Sequence, residues 1–485
     1  MNNLVEFVID IANSRGAKAA DVRIVSNKNE EIQVRNGVPV RLSSIDIQGV
    51  GVNVCLDDGW GFACSYKLDK PSLEKVVARA FEVAESSAAL NPRMFSRARE
   101  SVHIDSWKQP IRQDPFRVPL EEKLHFFEKI QEECFKVKGV KTVLGEMGFQ
   151  MREQYFGNLE GSRIYQKNCS SGCGYVVIAS NGKDIQVRSY PNSFGGQWEA
   201  AGFELMLHWP WIENAGRVSE EAVALLTAPA CPPQTCDVIL DSSQLAIQLH
   251  QTCGQPAELD RILGYEANFS GTSFLDLEHR SNLAFGNETL NVFTDPGAKN
   301  SSGAGGYVYD DEGVPAHRTD LIKDGVFTSF MTSRNTAPLI DNEKSTGHAR
   351  ASNWNRIPII RMTNINIAPG DKSLDELIED TKNGVLLETN KSWSIDDHRH
   401  NFQFGTEIGW EIRNGKRGRM LKNPVYQGAA LEFWRSCDAV CDKNEWKTWG
   451  SSNFGKGQPE QIISSSVGAA PARFRKVNVG SGKNG

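Results

Sequence analysis

The stretch "ADVRIVSNKNEEIQVRNGVPVRL", residues 20–42, predicts a long β-hairpin near the start of the chain. Val22 and Ile24 alternate with polar neighbours, as in a strand that buries one face. The Asn-Gly pair at 36–37 suits the left-handed backbone of a tight hairpin turn. The alternation resumes at Val38, so we expect two antiparallel strands here.

Amphipathic segments surround these strands. Residues 4–15, 70–90 and 120–137 place apolar side chains at helical spacing, and further alternating segments follow to about residue 190. Helices laid on a mostly antiparallel sheet form an α+β fold. The first part of the chain is therefore predicted to be α+β.

A domain boundary is predicted at "PACPPQTCD", because two adjacent prolines stiffen that connector. We assign residues 1–229 to an N-terminal α+β domain. Residues 230–485 form a β-rich C-terminal domain with a few helices, since strand patterns and hairpin turns dominate the chain beyond residue 280.

Composition narrows the functional classes. The 485 residues are 39% hydrophobic and carry a net charge of −6, which gives no overall attraction to nucleic acid. No apolar run approaches a membrane span, and the first residues lack a secretory signal. We therefore expect a cytoplasmic protein with neither a membrane nor a nucleic-acid partner. The ten cysteines are expected to be reduced.

The stretch "LHQTCGQPAELD", residues 249–260, holds the candidate site. His250 and Gln255 are five residues apart, which is awkward for two ligands on a straight helix. Pro256 removes an N–H and crowds the preceding turn, so a kink would bring the two positions together. With Glu258, such a group could serve a zinc-dependent peptide hydrolase.

This stretch resembles the TldD/PmbA family of metallopeptidases, on its TldD side, also called modulators of DNA gyrase. The family motif H-E-x-x-x-H, an acid and "GTSF" appears here as "HQTCGQPAELDRILGYEANFSGTSFL". Further similar pieces are "GVGVNV", "RMTNINIAPGD", "NFQFGTEIGWEIRNGKRGRMLKNP", "FWRSCDAVCD" and "GKGQP". They span nearly the whole chain in the family's order.

Carried over residue by residue, the resemblance implies a degenerate metal site. His250 matches the first metal ligand. Gln251 replaces the catalytic Glu, and an amide cannot act as a general base near neutral pH. Gln255 replaces the second His, and Phe454 replaces a Cys ligand before "GKGQ". We therefore expect no metal cofactor, although the family would imply zinc or iron.

The resemblance also implies a peptide substrate or ligand and a dimer, made with itself or with a TldD- or PmbA-like subunit. Three functions follow. The first is an inactive homologue acting as a partner, regulatory or peptide-binding subunit. The second is an atypical active metallopeptidase of peptide maturation or degradation, using Glu258 or a partner to complete its site. The third is other peptide-modifying chemistry through Cys253, three residues from His250.

Two other segments have alternative interpretations. His398 and His400 would share one face of a strand and could bind a metal, but a polar turn fits "DDHRHNF" better. The segment "SSGAGGYVYDDEG" lacks the lysine and spacing of a phosphate loop. It is predicted to be a flexible loop before a strand.

Overall fold

A computed structural model of the chain describes residues 1–56, 59–90, 97–299 and 301–482. Its first part alternates helices with long strands. These are α1 (Asn2–Ser14), β1 (Ala19–Arg35), β2 (Val38–Leu56), β3 (Gly59–Ser65), α2 (Lys70–Leu90), β4 (Ile104–Lys108), α3 (Leu120–Phe135), β5 (Val140–Asn158), β6 (Arg163–Ser180), β7 (Ile185–Tyr190), β8 (Gln197–Glu199) and α4 (Ala215–Leu225).

The predicted hairpin forms the centre of an eight-stranded sheet. Its main path runs β3-β2-β1-β5-β6-β4, and β7 and β8 also pair with β6. Asn36 and Gly37 have positive φ angles of 50° and 73°, the backbone that a two-residue hairpin loop requires. The pairs of this sheet are antiparallel except β4 with β6.

Helices cover one face of this sheet in two groups. Apolar residues of α1 and α2 pack on β1 and β2 in one core, in which Val8, Val22, Val52 and Val77 are fully buried. Helices α3 and α4 pack over the other end of the sheet, on β5 and β6. The prediction of an α+β fold is confirmed.

The second part of the chain is rich in strands and has a few short helices. Its elements are β9 (Gln234–Leu240), α5 (Ser242–Leu249), α6 (Leu259–Ile262), β10 (Val292–Thr294), β11 (Thr319–Lys323), β12 (Val326–Phe327), β13 (Ala349–Arg350), β14 (Ile359–Ile360), β15 (Asn364–Ile367), α7 (Leu374–Glu379), β16 (Asn383–Ile395), β17 (Asn401–Arg413), β18 (Lys416–Lys422), β19 (Pro424–Ala429), α8 (Ala430–Arg435), β20 (Cys437–Val440), β21 (Lys447–Lys456), β22 (Gln461–Ala469) and β23 (Ala472–Ser481).

Two larger sheets enclose α5. One follows the order β12-β11-β10-β15-β22-β21, and the other runs β16-β9-β23-β19-β17-β18. Helix α5 starts at Asp241, whose carboxylate accepts the backbone N–H groups of Ser243 and Gln244. Of the helices in the described residues, none has both the length and the apolar composition that crossing a membrane requires. The position of the domain boundary at residue 229 stays a prediction.

A chain of buried polar side chains anchors α5. The amide of Gln244 donates to the Tyr426 hydroxyl at 2.8 Å, and that hydroxyl donates to Gln248 at 2.9 Å. The Gln248 amide then donates to the Thr252 hydroxyl at 3.0 Å, which also accepts the Trp434 indole N–H. Because buried polar groups need hydrogen-bond partners, this series of hydrogen bonds fixes the rotation of α5 about its own axis.

The glycine-rich segment differs from its prediction. Residues 303–314 are largely buried and form no named strand. The Asp310 carboxylate accepts three backbone N–H groups, those of Glu312, Val314 and Ala349. Asp311 pairs with Arg152 of β5 at 3.2 Å. The predicted loop before a strand is thus present, ahead of β11, but it is largely buried and its acids hold it against the first sheet.

Replacing Tyr426 by Phe tests the anchoring chain. Loss of the hydroxyl leaves buried Gln244 and Gln248 atoms without their partner, which we expect to lower the free energy of unfolding by about 1–3 kcal/mol in urea denaturation. Tyr265→Phe is the matched control, because that side chain is 64% exposed. Equal effects of the two substitutions would contradict the anchoring role.

Candidate functional site

A π-helical turn at His250–Gly254 follows α5 directly. The N–H of Gln255 donates to the carbonyl oxygen of His250, five residues earlier. In a regular α-helix these two residues would point about 140° apart, whereas here both side chains line one cavity. The predicted approach of positions 250 and 255 is confirmed, and a π turn, continued by a 3₁₀ turn with Pro256, produces it.

Gly254 lets this turn pack against β15 and the residues before it. A Cβ atom at this position would collide with the Met362 sulfur and approach Ile365 Cδ1 to 2.9 Å. A side chain at this position would have to displace the ends of the Met362 and Ile365 side chains.

His250 is buried beneath an aromatic ring. Its imidazole stacks on Phe454 of β21, with 3.9 Å between ring centroids and 19° between ring planes. Burial lowers the pKa of His250 to about 3, so the ring is neutral at pH 7. Its Nδ1 atom is buried and has no hydrogen-bond partner among the described residues. A neutral imidazole could bind a metal, so the obstacle lies in its surroundings.

Gln251 contacts an arginine that the sequence pattern did not reveal. Arg399, in the turn after β16, donates through Nη1 to Gln251 Oε1 at 3.4 Å and through Nη2 to the Ser270 carbonyl at 2.7 Å. Gln251 is buried. An amide accepting from a guanidinium takes no proton from water, so this position offers no general base.

Glu258 is fully engaged by neighbouring groups. It accepts the Met362 backbone N–H at 3.1 Å and lies 3.1 Å from Arg261 and 3.2 Å from Lys456. Burial raises the pKa of this carboxyl, but Lys456 and Arg261 outweigh burial and lower it below its ordinary value. Glu258 is thus an ionised structural carboxylate that holds buried cations.

Lys456 of β21 links that strand to the residues that follow the π-helical turn. Its ammonium group donates to Asp260 at 2.7 Å and to the Ile360 carbonyl at 2.7 Å, in addition to its contact with Glu258. It lies two residues after Phe454, inside the "GKGQP" piece. That motif draws attention to Lys456 in the sequence. Its ion pairs with residues nearly 200 positions earlier can be seen only in the structure.

The cavity shared by His250, Gln255 and Phe454 is very small. Its volume is about 10 Å³, whereas a single water needs about 10–15 Å³. Its lining includes three cations and one carboxylate, namely Arg261, Arg361, Lys456 and Glu258. Burial lowers the pKa of Arg361 to about 10, which leaves it protonated at neutral pH.

A catalytic zinc ion does not fit these residues. Such sites supply three protein ligands and leave one position for water. The candidates here are the His250 imidazole, the Gln255 amide, whose buried Oε1 has no hydrogen-bond partner among the residues that the structure describes, and the Phe454 ring, which cannot ligate. No group of three or more His, Cys, Asp or Glu side chains in the described residues is arranged to hold a metal ion. The surrounding cations would also repel a divalent ion.

Cys253 lies in the hydrophobic core of the second part of the chain. Burial raises the pKa of its thiol well above the ordinary value, so little thiolate exists at neutral pH. All ten cysteines lie in the described residues, where Cys64 is exposed and the other nine are buried.

His398 and His400 occupy a turn, as predicted. They do not converge on one partner, since His398 bonds to the Thr272 hydroxyl at 2.9 Å and the His400 ring packs 5.6 Å from that of Phe274.

Thiol alkylation tests the environment of Cys253. We expect iodoacetamide at pH 8 to label Cys64 at least about tenfold faster than Cys253 in the folded protein, because the buried thiol is both inaccessible and protonated. Peptide mass spectrometry after a time course measures both rates. If Cys253 were labelled as fast as Cys64, the hypothesis that Cys253 acts as a nucleophile would be supported.

Comparison with known proteins gives similarities along the whole chain. Metalloproteases of Methanocaldococcus jannaschii and Synechocystis are 28% and 25% identical to it, over 87% and 95% of this chain and 89% and 94% of theirs. A zinc metalloprotease TldD homologue of Saccharolobus solfataricus is 21% identical over 97% of this chain and 98% of its own.

Two crystal structures share the fold. A Thermotoga maritima protein described as a modulator of a DNA gyrase has a TM-score of 0.77 at 17% identity, with 99% of both chains covered. TldE of Thermococcus kodakarensis has a TM-score of 0.74 at 16% identity, with 99% of this chain and 100% of its own covered.

Family models match both parts of the chain. Residues 20–84 match PmbA/TldA metallopeptidase domain 1. Residues 233–481, more than half of the chain, match the PmbA/TldA metallopeptidase C-terminal domain. This chain therefore belongs to the PmbA/TldD family of metallopeptidases.

Proposed function

We propose that this member of the family has lost metal binding and peptide hydrolysis and acts as a partner, regulatory or peptide-binding subunit. The observation that carries the proposal is the stacking of Phe454 on His250 at 3.9 Å. A ring in that place covers the imidazole that would have to bind a metal, and it contributes no ligand itself.

The chemistry of the neighbouring positions supports the same conclusion. Gln251 cannot take a proton from a nucleophilic water, and loss of a general base alone slows catalysis by about 10²–10⁴-fold. Glu258 is the nearest alternative base, but its lowered pKa and its bonds to Lys456 and Arg261 oppose that use. We therefore expect no cofactor to be bound by this chain alone.

The proposed partner is a homologous TldD- or PmbA-like subunit, either a second copy or a homologue. Similarity to TldE of Thermococcus kodakarensis along the whole chain supports a subunit of this shape. The proposed ligand is a peptide, as the metalloprotease relatives suggest. We propose that the protein is cytoplasmic and binds neither nucleic acid nor a membrane. We also propose that its two domains comprise residues 1–229 and 230–485.

Zinc content tests the lost metal site. We expect the purified chain to hold less than about one zinc per ten molecules, and its melting temperature to be unchanged by a chelator, because three protein ligands are needed. The triple variant Gln251→Glu, Gln255→His, Phe454→Cys should approach about one zinc per molecule.

The control variant Phe269→Cys adds a thiol at an aromatic position that is 54% exposed. It should gain no zinc. Stoichiometric, chelator-sensitive zinc in the unmodified chain, together with peptide cleavage, would overturn the proposal.

A reconstituted pair tests the partner role. We expect the chain to co-purify with a family member from the same organism that retains H-E-x-x-x-H, and the complex to cleave unstructured peptides. His250→Asn in this chain should leave the rate within about twofold, whereas Glu→Gln in the partner's motif should reduce it about 10²–10⁴-fold. If His250→Asn abolishes cleavage, the site of this chain takes part in catalysis and the proposal fails.

A further inference from the structure

The face of the first sheet opposite to its helices carries a group of polar side chains. Asn27 and Asn29 of β1 lie on the other face from Ile24, which packs beneath the helices, because successive residues of a strand alternate between faces. Residues that pair directly across neighbouring strands share a face. Two such rows cross β1, β5 and β6, namely Asn27–Arg152–Asn168 and Asn29–Gln150–Ser170. Six polar side chains are therefore presented together.

Segments of the second part of the chain lie across this polar face. Arg152 donates through Nη1 to the carbonyl oxygens of Ala351 at 2.8 Å and Ser352 at 3.1 Å. Asn168 donates through Nδ2 to the Gly306 carbonyl oxygen at 3.0 Å. These hydrogen bonds join the two parts of the chain around a cavity that lies between them.

This cavity has room for a small molecule. Its volume is about 160 Å³. An engineered cavity of about 150 Å³ in another protein holds benzene, so a ligand of about six to ten non-hydrogen atoms would fit here. Ile462 lines the cavity and is 48% exposed, so the cavity reaches the surface of the protein at this residue.

The charged residues that line the cavity leave one positive charge unbalanced. The Asp311 carboxylate pairs with Arg152 at 3.2 Å and accepts the Ala351 backbone N–H at 2.6 Å. Arg350 donates through Nη1 to the Gly305 carbonyl oxygen at 3.0 Å, but its Nε and Nη2 atoms have no hydrogen-bond partner among the described residues. Two guanidinium groups and one carboxylate give a net charge of about +1, which a ligand with one negative charge would balance.

The side-chain amides of the cavity can both donate and accept further hydrogen bonds. Gln150 accepts from Ser464 through Oε1, and its Nε2 has no partner in the described part of the chain. Asn168 donates through Nδ2, and its Oδ1 is unpaired within the same residues. The Asn29 side chain forms no hydrogen bond to any described residue. Hydroxyl groups match such a lining, because each of them donates and accepts.

We propose that this cavity binds a small hydroxycarboxylate, a carboxylic acid that carries one or more hydroxyl groups. Its carboxylate lies against Arg350, since a guanidinium group offers a carboxylate two parallel N–H donors. Its hydroxyl groups lie against Asn29, Gln150 and Asn168. The residues lining this cavity differ from those lining the cavity beside His250. The inference therefore goes beyond the proposed function, and its test involves neither a metal nor a peptide.

Isothermal titration calorimetry of the full chain with D-glycerate and D-threonate tests the site. We expect at least one of these acids to bind with a Kd below about 1 mM. Propionate lacks the hydroxyl groups and glycerol lacks the carboxylate, so each should bind at least about tenfold more weakly. L-serine should also bind more weakly, because its ammonium group brings a second positive charge to the cavity and leaves the ligand neutral.

Two substitutions in the cavity have matched controls outside it. Arg350→Gln should raise the Kd at least about tenfold, because a hydrogen bond to a charged group is lost, and Asn29→Ala should raise it about fivefold. Arg41→Gln and Asn13→Ala replace exposed side chains outside the cavity and should leave the Kd within about twofold. Circular dichroism verifies folding. Asn29→Ala keeps the test decisive if Arg350→Gln does not fold, because it breaks no hydrogen bond within the described residues.

The proposal is overturned if neither acid binds at about 10 mM, since the cavity would then hold water only. Binding of propionate, glycerol or L-serine as tightly as the hydroxycarboxylates would also overturn it, and so would a Kd that Asn29→Ala leaves unchanged. A crystal soaked with D-threonate supplies a second measurement. We expect the carboxylate within hydrogen-bonding distance of Arg350, whereas ligand density only at other places would contradict the assignment.

Discussion

The hydrogen bond from the Gln255 N–H to the His250 carbonyl is the constraint on which the site depends. It widens one turn at the end of α5, so that two residues five apart line the same cavity. Gly254 allows the widened turn to pack tightly, and the buried chain from Gln244 to Thr252 fixes the helix before it. The shape of this helix end is therefore set by the protein's own contacts.

Buried ion pairs hold this region together. A buried cation is stable only when it is paired and its hydrogen bonds are satisfied. Lys456 meets this requirement through Glu258, Asp260 and a backbone carbonyl, and Arg261 meets it through Glu258. These ion pairs join segments nearly 200 residues apart. The site is thereby held by the protein's own charges, which also disfavour a further cation.

Much of the fold could be predicted from local sequence patterns. Asn36 and Gly37 marked the hairpin turn, and Pro256 marked the disturbed helix end. Phe454 could be placed in the site only through resemblance, since it is about 200 residues from His250. Arg399 could not be found because its contact with Gln251 is long-range and follows no spacing rule. The burial of residues 303–314 could not be foreseen, because glycines and acids are typical of a solvated loop and also occur in a buried loop whose acids have partners.

The Phe454 ring covers His250 at the place where a metal ion would have to bind. Anomalous diffraction at the zinc edge, from crystals of the unmodified chain grown with zinc, would locate any ion there. We expect no anomalous peak within bonding distance of His250 and a Phe454 ring stacked on the imidazole. A peak bonded to His250 and Gln255, with Phe454 turned away, would contradict it.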